Sequence, residues 1–470
     1  MQDTIKFGTD GWRAVMCDDF IVKNVKIVVQ AISNYICNCG LSKKGIVIGY
    51  DNRFYAEDFA KVCASVLIGN NIPVFIMKKS MPTPITAYAI KVFNAAGAIM
   101  LTASHNPPKY NGIKFIPEYA GPATPEITSQ IEKEINELFN GKRILFTDIE
   151  NNKLLHEVDV VDEYLQHIKS LVDFNVIQKA KLRIAFDPMY GVGQDVMKRI
   201  LKEADCEIYS INDFRDVLFG GKLPEPTPEN LIELRSLVLD KKTDLGLALD
   251  GDADRFGVVD NKGQFLSSNQ ALAVLCLYLL EDRKLDGKIV RTVATTHLLD
   301  AIASKFGAKL EETPVGFKYV GQIMQKEPVV IGGEESGGLS ILGHIPEKDG
   351  ILADLLFAEI IAKKSKPLST LLDEIYLEYG HFYNTRLDIH YPQEKKEKLL
   401  NELRTNPPSS IVGYKVKNVS TKDGVKFLLE KDSWVLIRPS GTESLVRVYV
   451  EGHSKEVFKN LQDYAKKLLV

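Results

Sequence analysis

The chain has 470 residues, of which 45% are hydrophobic and 26% charged, and 59 basic against 62 acidic residues give a formal net charge of −3. The length predicts several domains, and the near-neutral charge argues against a nucleic-acid-binding protein, whose domains usually carry a basic excess. No apolar run approaches the roughly 20 residues that span a bilayer, and no targeting signal is visible at the N-terminus. We therefore expect a cytoplasmic protein with no membrane or nucleic-acid partner. Its six cysteines lack a CxxC pair and are expected to remain thiols.

In the first three quarters of the chain, short apolar runs alternate with helical patterns. The first round predicts three strands separated by helices, at residues 45–51, 73–77 and 97–101. Similar rounds return over 182–250 and 256–333, which predicts three related α/β units with mainly parallel strands. After about Tyr379 the pattern changes to alternating strands followed by a final helix, which indicates a smaller α+β domain.

These patterns predict an α/β protein of four domains, with three related mixed-sheet α/β domains and a C-terminal α+β domain. The polar segments between the patterns place the domains at residues 1–150, 151–255, 256–372 and 373–470.

An acidic loop follows the apolar segment LGLAL. Its sequence is Asp250-Gly-Asp252-Ala-Asp254-Arg255, and three carboxylates at alternate positions supply the hard oxygen ligands that Mg²⁺ prefers. A calcium-binding EF-hand loop is disfavoured, because its glycine and glutamate positions hold Arg255 and Asn261. The alternative to a metal site is an ordinary acidic turn.

The apolar segment GAIML leads into TASHNPPKYNGIKF, residues 102–115, which contains Ser104, His105 and Lys114. A hydrolase triad is disfavoured, because serine and histidine are adjacent and no G-x-S-x-G elbow surrounds them. A serine at a strand end near a magnesium site suits phosphoryl transfer. The alternative is a serine that only caps a helix or shapes a turn.

Two further loops carry groups suited to ligands. In the glycine-rich segment 332–338, Glu334 and Ser336 are candidates to bind sugar hydroxyls, with a flexible acidic turn as the alternative. The segment 438–443 combines an arginine, two hydroxyls and a glycine, which suits a phosphate clamp, although a hairpin loop could look similar. The segment 190–194 begins like a dinucleotide fingerprint but lacks its third glycine, so NAD is not expected.

The segments FGTDGWRA, TASHNPPKYNGIKF, DGDADRFG, GGEESGG and RPSGTE resemble the signatures of the α-D-phosphohexomutase family and occur in the family's order between residues 7 and 443. The family includes phosphoglucomutases, phosphomannomutases and phosphoglucosamine mutases. The resemblance implies four domains around a central cleft and an isomerase of carbohydrate metabolism. It also implies a phosphoserine enzyme that requires Mg²⁺ and works through glucose 1,6-bisphosphate or a similar hexose bisphosphate. A small-molecule sugar phosphate is then the expected partner, and the protein is expected to be a monomer or a homodimer.

The resemblance also implies roles for individual residues. Ser104 would be the phosphoserine and would bind Mg²⁺ together with Asp250, Asp252 and Asp254. The remaining catalytic residues would be a proton-transfer lysine, an assisting histidine and two arginines: Lys114, His105, Arg13 and Arg255. Sugar and phosphate contacts would come from the following residues: Arg53, Thr313, Gly316, Lys318, Glu334, Ser336, Arg438, Ser440, Gly441 and Thr442.

The preferred sugar is predicted from two details of these motifs. The Glu-Glu-Ser sequence at residues 334–336 and Ala253 in the acidic loop are closer to phosphoglucomutases, which favours glucose phosphate, with mannose phosphate also possible. A phosphoglucosamine mutase is the alternative within the family. A metal-dependent sugar phosphatase is the alternative reaction, and a noncatalytic sugar-phosphate sensor is disfavoured because Ser104 and the three aspartates are present.

Overall fold

The computed structural model describes residues 5–8, 11–440 and 444–468. The chain divides into two compact units. Unit 1 comprises Met1–Ser267, Gly321–Lys326 and Ser336–Ser369, and unit 2 comprises Ser268–Val320, Glu327–Glu335 and Thr370–Val470.

The strands, in chain order, are β1 (Trp12–Val15), β2 (Ile46–Tyr50), β3 (Val74–Met77), β4 (Gly97–Leu101), β5 (Tyr110–Pro117), β6 (Leu155–Val158), β7 (Arg183–Asp187), β8 (Glu207–Ser210), β9 (Leu245–Leu249), β10 (Phe256–Asp260), β11 (Phe265–Leu266), β12 (Lys288–Thr292), β13 (Leu310–Thr313), β14 (Val329–Gly333), β15 (Leu339–Ile341), β16 (Tyr383–His390), β17 (Ser410–Ile411), β18 (Tyr414–Ser420), β19 (Val425–Leu429), β20 (Trp434–Pro439) and β21 (Leu445–Gly452).

The α-helices, in chain order, are α1 (Val22–Asn38), α2 (Ala56–Gly69), α3 (Thr83–Phe93), α4 (Pro125–Phe139), α5 (Val161–Leu171), α6 (Phe174–Ala180), α7 (Gln194–Glu203), α8 (Ile232–Lys241), α9 (Ser268–Glu281), α10 (Leu298–Phe306), α11 (Phe317–Met324), α12 (Gly350–Lys364), α13 (Leu368–Tyr379), α14 (Lys396–Thr405) and α15 (Lys455–Leu468). Among the helices of the described residues, none is both long and apolar enough to cross a bilayer.

The first sheet of unit 1 has the strand order β1-β5-β4-β2-β3-β6. Its centre is parallel, because β2 pairs with β3 and β4 in parallel, whereas β5 pairs antiparallel with β4 and β1. Every residue of β2 and β4 is buried, as expected for strands covered on both faces. The serine segment therefore leaves the sheet at the carboxyl end of a buried central strand.

The second sheet of unit 1 has the order β11-β10-β9-β7-β8. β7 pairs in parallel with β8 and β9, and β10 runs back antiparallel to β9. The acidic loop is the connection from β9 to β10, so it too leaves the carboxyl end of a buried strand. Ligand groups of open α/β sheets gather at such strand ends.

Three strands join sheets other than the ones that the predicted domain bounds imply. β6 lies after the predicted boundary at 150 but pairs with β3 of the first sheet. β10 and β11 lie after the predicted boundary at 255 but continue the second sheet. The expectation that residues 256–260 begin the third α/β round is corrected accordingly.

Unit 2 contains a parallel sheet and an antiparallel sheet. In the parallel sheet, β12 pairs with β13 and β14. In the antiparallel sheet, the order is β16-β21-β20-β19-β18-β17. Its apolar face packs with α14 and α15 around Phe427, Val448 and Leu461. The predicted fold class, with related α/β sheets and a C-terminal α+β domain, is confirmed.

Candidate active site

Ser104 lies in a tightly held turn after β4. It has a φ of 49° and is 1% exposed, and left-handed backbone is unfavourable for a residue with a side chain. Its amide donates to Thr102 Oγ1 at 2.8 Å, and Thr102 Oγ1 in turn donates to Asp51 Oδ2 at 2.6 Å. Contacts from outside the turn thus hold the serine in a conformation that it would not favour alone.

The guanidinium of Arg53 holds the backbone of this turn in place. Its Nη1 donates to the carbonyl oxygens of Pro107 and Tyr110, and its Nη2 donates to those of Ser104 and Asn106, at 2.7 to 2.9 Å. Its Nε donates to Asp51 at 3.1 Å. An arginine has five N–H donors, and this fully buried side chain directs all five at the turn and its support. These contacts give Arg53 a turn-organising role, and its expected contact with the substrate stays a prediction.

The three aspartates of the acidic loop converge. Asp250, Asp252 and Asp254 are at most 1% exposed, and one oxygen of each lies within 4.8 Å of the others. The Oδ1 atoms of Asp252 and Asp254 are buried and have no hydrogen-bond partner among the described residues. Buried carboxylate oxygens without a donor are costly, and this oxygen-only set fits a hard divalent cation such as Mg²⁺.

The serine turn and the acidic loop are in direct contact. Ser104 Oγ donates to Asp250 Oδ2 at 2.9 Å. A Cβ atom added to Gly251 would lie 2.8 Å from the carbonyl oxygen of Ser104, so only glycine permits this approach without a shift. The structure therefore brings together the serine and the aspartates that the two motifs singled out separately.

Two lysines balance the charge of the aspartates. Lys114 Nζ donates to Oδ2 of both Asp252 and Asp254 at 2.8 Å, and Lys348 Nζ lies 3.2 Å from Asp254 Oδ2. Lys114 belongs to β5, opposite Met100 in the sheet, and not to a loop as we expected. Lys348, which is 3% exposed and precedes α12, was missed in the sequence analysis.

The surroundings shift the pKa values of two of these carboxyl groups, Asp250 and Asp254, in opposite directions. Burial and the neighbouring Asp252 and Asp254 raise the pKa of Asp250 well above its ordinary value. Burial also acts to raise the pKa of Asp254, but Lys114, Lys348 and Arg255 outweigh it and lower that pKa. Three carboxylates held so closely favour a bound cation, because they repel one another in its absence.

His105 lies beside the serine, with Nδ1 3.3 Å from Ser104 Oγ. Burial and the positive charges of Arg255 and Arg13 lower the pKa of His105 well below its ordinary value, so its imidazole is neutral near pH ~7. Arg13 Nη1 donates to Asn106 Oδ1 at 2.7 Å, and Arg255 Nη1 pairs with Glu225 at 3.0 Å. Arg13 therefore lies beside the serine turn, and Arg255, whose amide donates to Asp250 Oδ1 at 3.1 Å, lies beside the aspartates.

Several expected sugar-binding residues lie in unit 2. Glu334, which is 6% exposed, accepts a hydrogen bond from the amide of Gly316 at 2.9 Å. Thr313 is 4% exposed at the end of β13, and Lys318 lies at the start of α11 with Nζ 5.4 Å from the Tyr319 ring. Ser336, which belongs to unit 1, is half-buried after β14.

The expected phosphate clamp is described in part. Arg438 Nε donates to Asp423 Oδ2 at 2.8 Å. Ser440 is 3% exposed, and its carbonyl oxygen accepts from Lys396 Nζ at 2.9 Å. Gly441 and Thr442 lie outside the described residues.

Other supporting groups were also missed. Thr83, the first residue of α3, donates from Oγ1 to Asp252 Oδ2 at 2.7 Å. Asp51 accepts hydrogen bonds from both Arg53 and Thr102. Asp51 follows the buried strand β2 as Asp250 follows β9, so the same strand-end pattern could have revealed it. Thr83 and Lys348 lie outside the quoted motifs, and their sequence neighbours give no comparable signal.

Comparison with known families gives four matches that together cover most of the chain. Models of phosphoglucomutase/phosphomannomutase match in order: alpha/beta/alpha domain I over residues 4–142, domain II over 162–263, domain III over 267–379 and the C-terminal domain over 392–468.

Individual relatives agree with this assignment. A phosphoglucomutase/phosphomannomutase of Thermococcus kodakarensis is 31% identical over 464 residues, covering 98% of each chain. A phosphoglucosamine/phosphogalactosamine mutase of Sulfurisphaera tokodaii is 31% identical over 471 residues, again covering 98% of each. A solved structure from Paramecium, the phosphoprotein parafusin, a phosphoglucomutase in its open form, is 25% identical with a TM-score of 0.84, covering 98% of this chain and 94% of the other. The chain therefore belongs to the phosphoglucomutase/phosphomannomutase family of phosphohexomutases, which are isomerases.

Proposed function

We propose that this chain interconverts hexose 1-phosphate and hexose 6-phosphate, with glucose phosphate favoured and mannose phosphate also accepted, through a phosphoserine at Ser104. The observation that carries the proposal is the position of Ser104 Oγ, which lies 2.9 Å from Asp250 in a buried cluster of three aspartates and two lysines. Such a cluster suits phosphoryl transfer, where catalysis depends on positioning and charge neutralisation.

In the proposed reaction, phosphorylated Ser104 gives its phosphoryl group to the free hydroxyl of a hexose phosphate. The resulting hexose bisphosphate then turns over and returns its other phosphoryl group to the serine. Each transfer breaks one P–O bond and forms another, so no water is consumed. The tight turn held by Arg53 keeps Ser104 in place through both transfers.

Mg²⁺ would be held by Asp250, Asp252 and Asp254, together with an oxygen on Ser104, and would neutralise negative charge on the transferring group. The unpartnered Oδ1 atoms of Asp252 and Asp254 support this assignment. Lys114 and the neutral His105 are the candidates to move the proton of the sugar hydroxyl, and Arg13 and Arg255 supply further positive charge beside the serine.

Recognition of the sugar phosphate is assigned to Glu334 and Ser336 for hydroxyls, to Thr313, Gly316 and Lys318 for orientation, and to the segment 438–442 for the phosphate that is not transferred. The burial of Glu334 and the paired guanidinium of Arg438 support these roles. The Sulfurisphaera relative is named for amino-sugar phosphates, so glucosamine phosphate is the second candidate substrate.

A phosphorus NMR time course tests the proposal. Purified protein receives Mg²⁺, glucose 1-phosphate and a trace of glucose 1,6-bisphosphate, with parallel samples of mannose and glucosamine phosphates. Wild type should form the 6-phosphate, and Ser104→Ala should not. Ser33→Ala is the matched control, because Ser33 is also fully buried but its hydroxyl donates to the carbonyl of Val29 within α1.

Accumulation of inorganic phosphate would contradict the proposal, because water and not the sugar would then accept the phosphoryl group. The relative rates on the three sugars rank the substrates. Faster conversion of glucosamine phosphate than of glucose phosphate would replace the favoured substrate with the second candidate.

A further inference from the structure

One carboxylate oxygen in unit 2 joins two segments to which the proposed function assigns ligand binding. Asp423 lies in the turn between β18 and β19. Its Oδ2 accepts from Arg438 Nε at 2.8 Å and from the amide of Val315 at 2.9 Å. Arg438 belongs to the proposed phosphate clamp, and Val315 lies between the proposed sugar residues Thr313 and Gly316.

The contact between Asp423 and Arg438 does not involve the terminal nitrogens of the guanidinium, which can then bind an anion. It uses Nε, and within the described part of the chain it is the hydrogen bond that the side chain of Arg438 makes. The terminal nitrogens Nη1 and Nη2 therefore remain as a pair of donors, which is the geometry that binds two oxygens of a phosphate. With Nε held, this planar pair has a fixed direction.

The contact with Val315 continues to the proposed sugar residues. The next amide along the chain, that of Gly316, donates to Glu334 Oε1 at 2.9 Å. Gly316 has a φ of 128°, which a residue with a side chain rarely adopts. Two carboxylates, from Asp423 and Glu334, thus hold two consecutive peptide groups, and the segment is fixed on both sides.

The turn that carries Asp423 is itself fixed. Gly424 has a φ of 84°, and a Cβ atom there would lie 2.3 Å from the carbonyl oxygen of Ile437, next to Arg438. On the other side, Lys422 Nζ donates to the carbonyl of Glu312 at 2.6 Å, and Lys426 Nζ donates to Glu312 Oε2 at 3.1 Å. Asp423 is therefore a placed acceptor between β20 and the segment after β13.

We propose that Asp423 is a positioning residue for sugar-phosphate binding, because its single oxygen sets the clamp arginine and the sugar segment at a fixed spacing. The inference rests on the proposed function, since it takes Arg438 to bind the phosphate that is not transferred. Loss of the Asp423 charge should weaken ligand binding through Arg438 and leave the chemistry at Ser104 unchanged.

A double-mutant cycle tests this role. Asp423→Asn should raise KM for glucose 1-phosphate about tenfold, because a charge-assisted bond to the clamp is lost, with kcat changed less than about twofold. In an Arg438→Ala background, Asp423→Asn should have no further effect, since the group it positions is gone. Asp388→Asn is the matched control, because Asp388 also pairs with an arginine, Arg386, on the same sheet.

Calorimetric titration with glucose 6-phosphate separates this inference from the proposed function. Weaker binding by Asp423→Asn in a protein without mutase activity would overturn the proposed reaction but support the positioning role. Normal KM and normal binding in an active Asp423→Asn variant would overturn the positioning role alone. An effect of equal size in the Arg438→Ala background, or one that Asp388→Asn reproduces, would also overturn it, and absence of binding by wild type would overturn both.

Discussion

The proposed phosphoserine site in unit 1 and the proposed ligand-binding residues in unit 2 hold their charged groups in different ways. In unit 1, three aspartates and two lysines form a buried ionic cluster beside Ser104. In unit 2, Glu334 and Asp423 hold backbone amides, and the side chain of Arg438 is 18% exposed. Charged groups are therefore concentrated where phosphoryl transfer is proposed, whereas carboxylates hold the backbone in place where a ligand is proposed to bind. Substitutions in the proposed phosphoserine site should therefore lower kcat, whereas those among the proposed ligand-binding residues of unit 2 should raise KM.

The largest effect is expected for Asp250→Asn. The variant should lose on the order of 10³-fold in kcat, because a metal ligand and the acceptor of Ser104 are both weakened. In the absence of Mg²⁺, its melting temperature should exceed that of wild type, because one of three mutually repelling buried carboxylates is neutralised. Mutase assays and calorimetry with and without EDTA measure the two effects.

Asp58→Asn is the control for that prediction, because Asp58 is 48% exposed and pairs only weakly with Lys61 at 3.7 Å. It should change neither quantity. A lower melting temperature for metal-free Asp250→Asn would mean that repulsion among the aspartates does not dominate in unit 1.

Arg53→Lys should have the next largest effect. Lysine cannot reproduce the five directed hydrogen bonds, and the loss should destabilise the fold by on the order of 3 kcal/mol and reduce kcat about 10²-fold. Scanning calorimetry and initial rates measure both changes.

Arg215→Lys is the matched control, since Arg215 pairs with Glu57 but its side chain is 40% exposed; it should cost less than about 1 kcal/mol. If Arg53→Lys raised only KM, Arg53 would contact the substrate after all, and its turn-organising role would be wrong.

Glu334→Gln in unit 2 should raise KM for glucose 1-phosphate about tenfold with a smaller change in kcat, because a neutral amide accepts sugar hydroxyls less strongly than a carboxylate. Steady-state kinetics measure the split. Glu311→Gln, at a position 43% exposed on β13, should leave both constants unchanged. A loss confined to kcat would erase the proposed difference between the two units.

The smallest effect concerns pH. Lys426 is buried beside Glu312, His297 and Trp434. Burial and the positive charge of Arg291 lower the pKa of Lys426 from 10.5 to about 8. Between these values the unfolded chain binds more protons than the native protein, so stability from this group rises with pH in that window.

Lys426→Met removes this contribution. The melting temperature of wild type relative to the variant should therefore increase from about pH 7.5 to about pH 9.5. Lys422→Met, at an exposed position in the turn that precedes β19, is the control. A constant or falling difference would show that Lys426 is not held with a lowered pKa.

Much of the fold could be predicted from local pattern. β4 was predicted with its observed bounds, because GAIML is an apolar run bounded by polar residues. β10 was assigned to the wrong sheet for a physical reason: an extended segment acquires its partner through contacts far along the chain, and apolar alternation does not encode that partner. β6, which pairs with β3, was not predicted as a strand.

The residues of the candidate site also differ in whether they could be predicted from the sequence. Ser104 and the three aspartates lie in compact motifs whose chemistry can be inferred from a few adjacent residues. Thr83 and Lys348 reach the aspartates from distant parts of the chain. Thr83 precedes Asp252 by 169 residues, and Lys348 follows Asp254 by 94 residues. The sequence around Arg53 does not indicate whether its N–H groups donate to a ligand or to backbone carbonyl oxygens of the chain.

The measurement that tests the central claim most directly is mass spectrometry of the peptide containing Ser104. Protein treated with glucose 1,6-bisphosphate and Mg²⁺ should carry one phosphoryl group on Ser104, and excess glucose 1-phosphate should remove it with formation of the bisphosphate. A phosphoryl group that stays on Ser104, resides on another residue, or appears as inorganic phosphate at the rate of its loss would contradict the account.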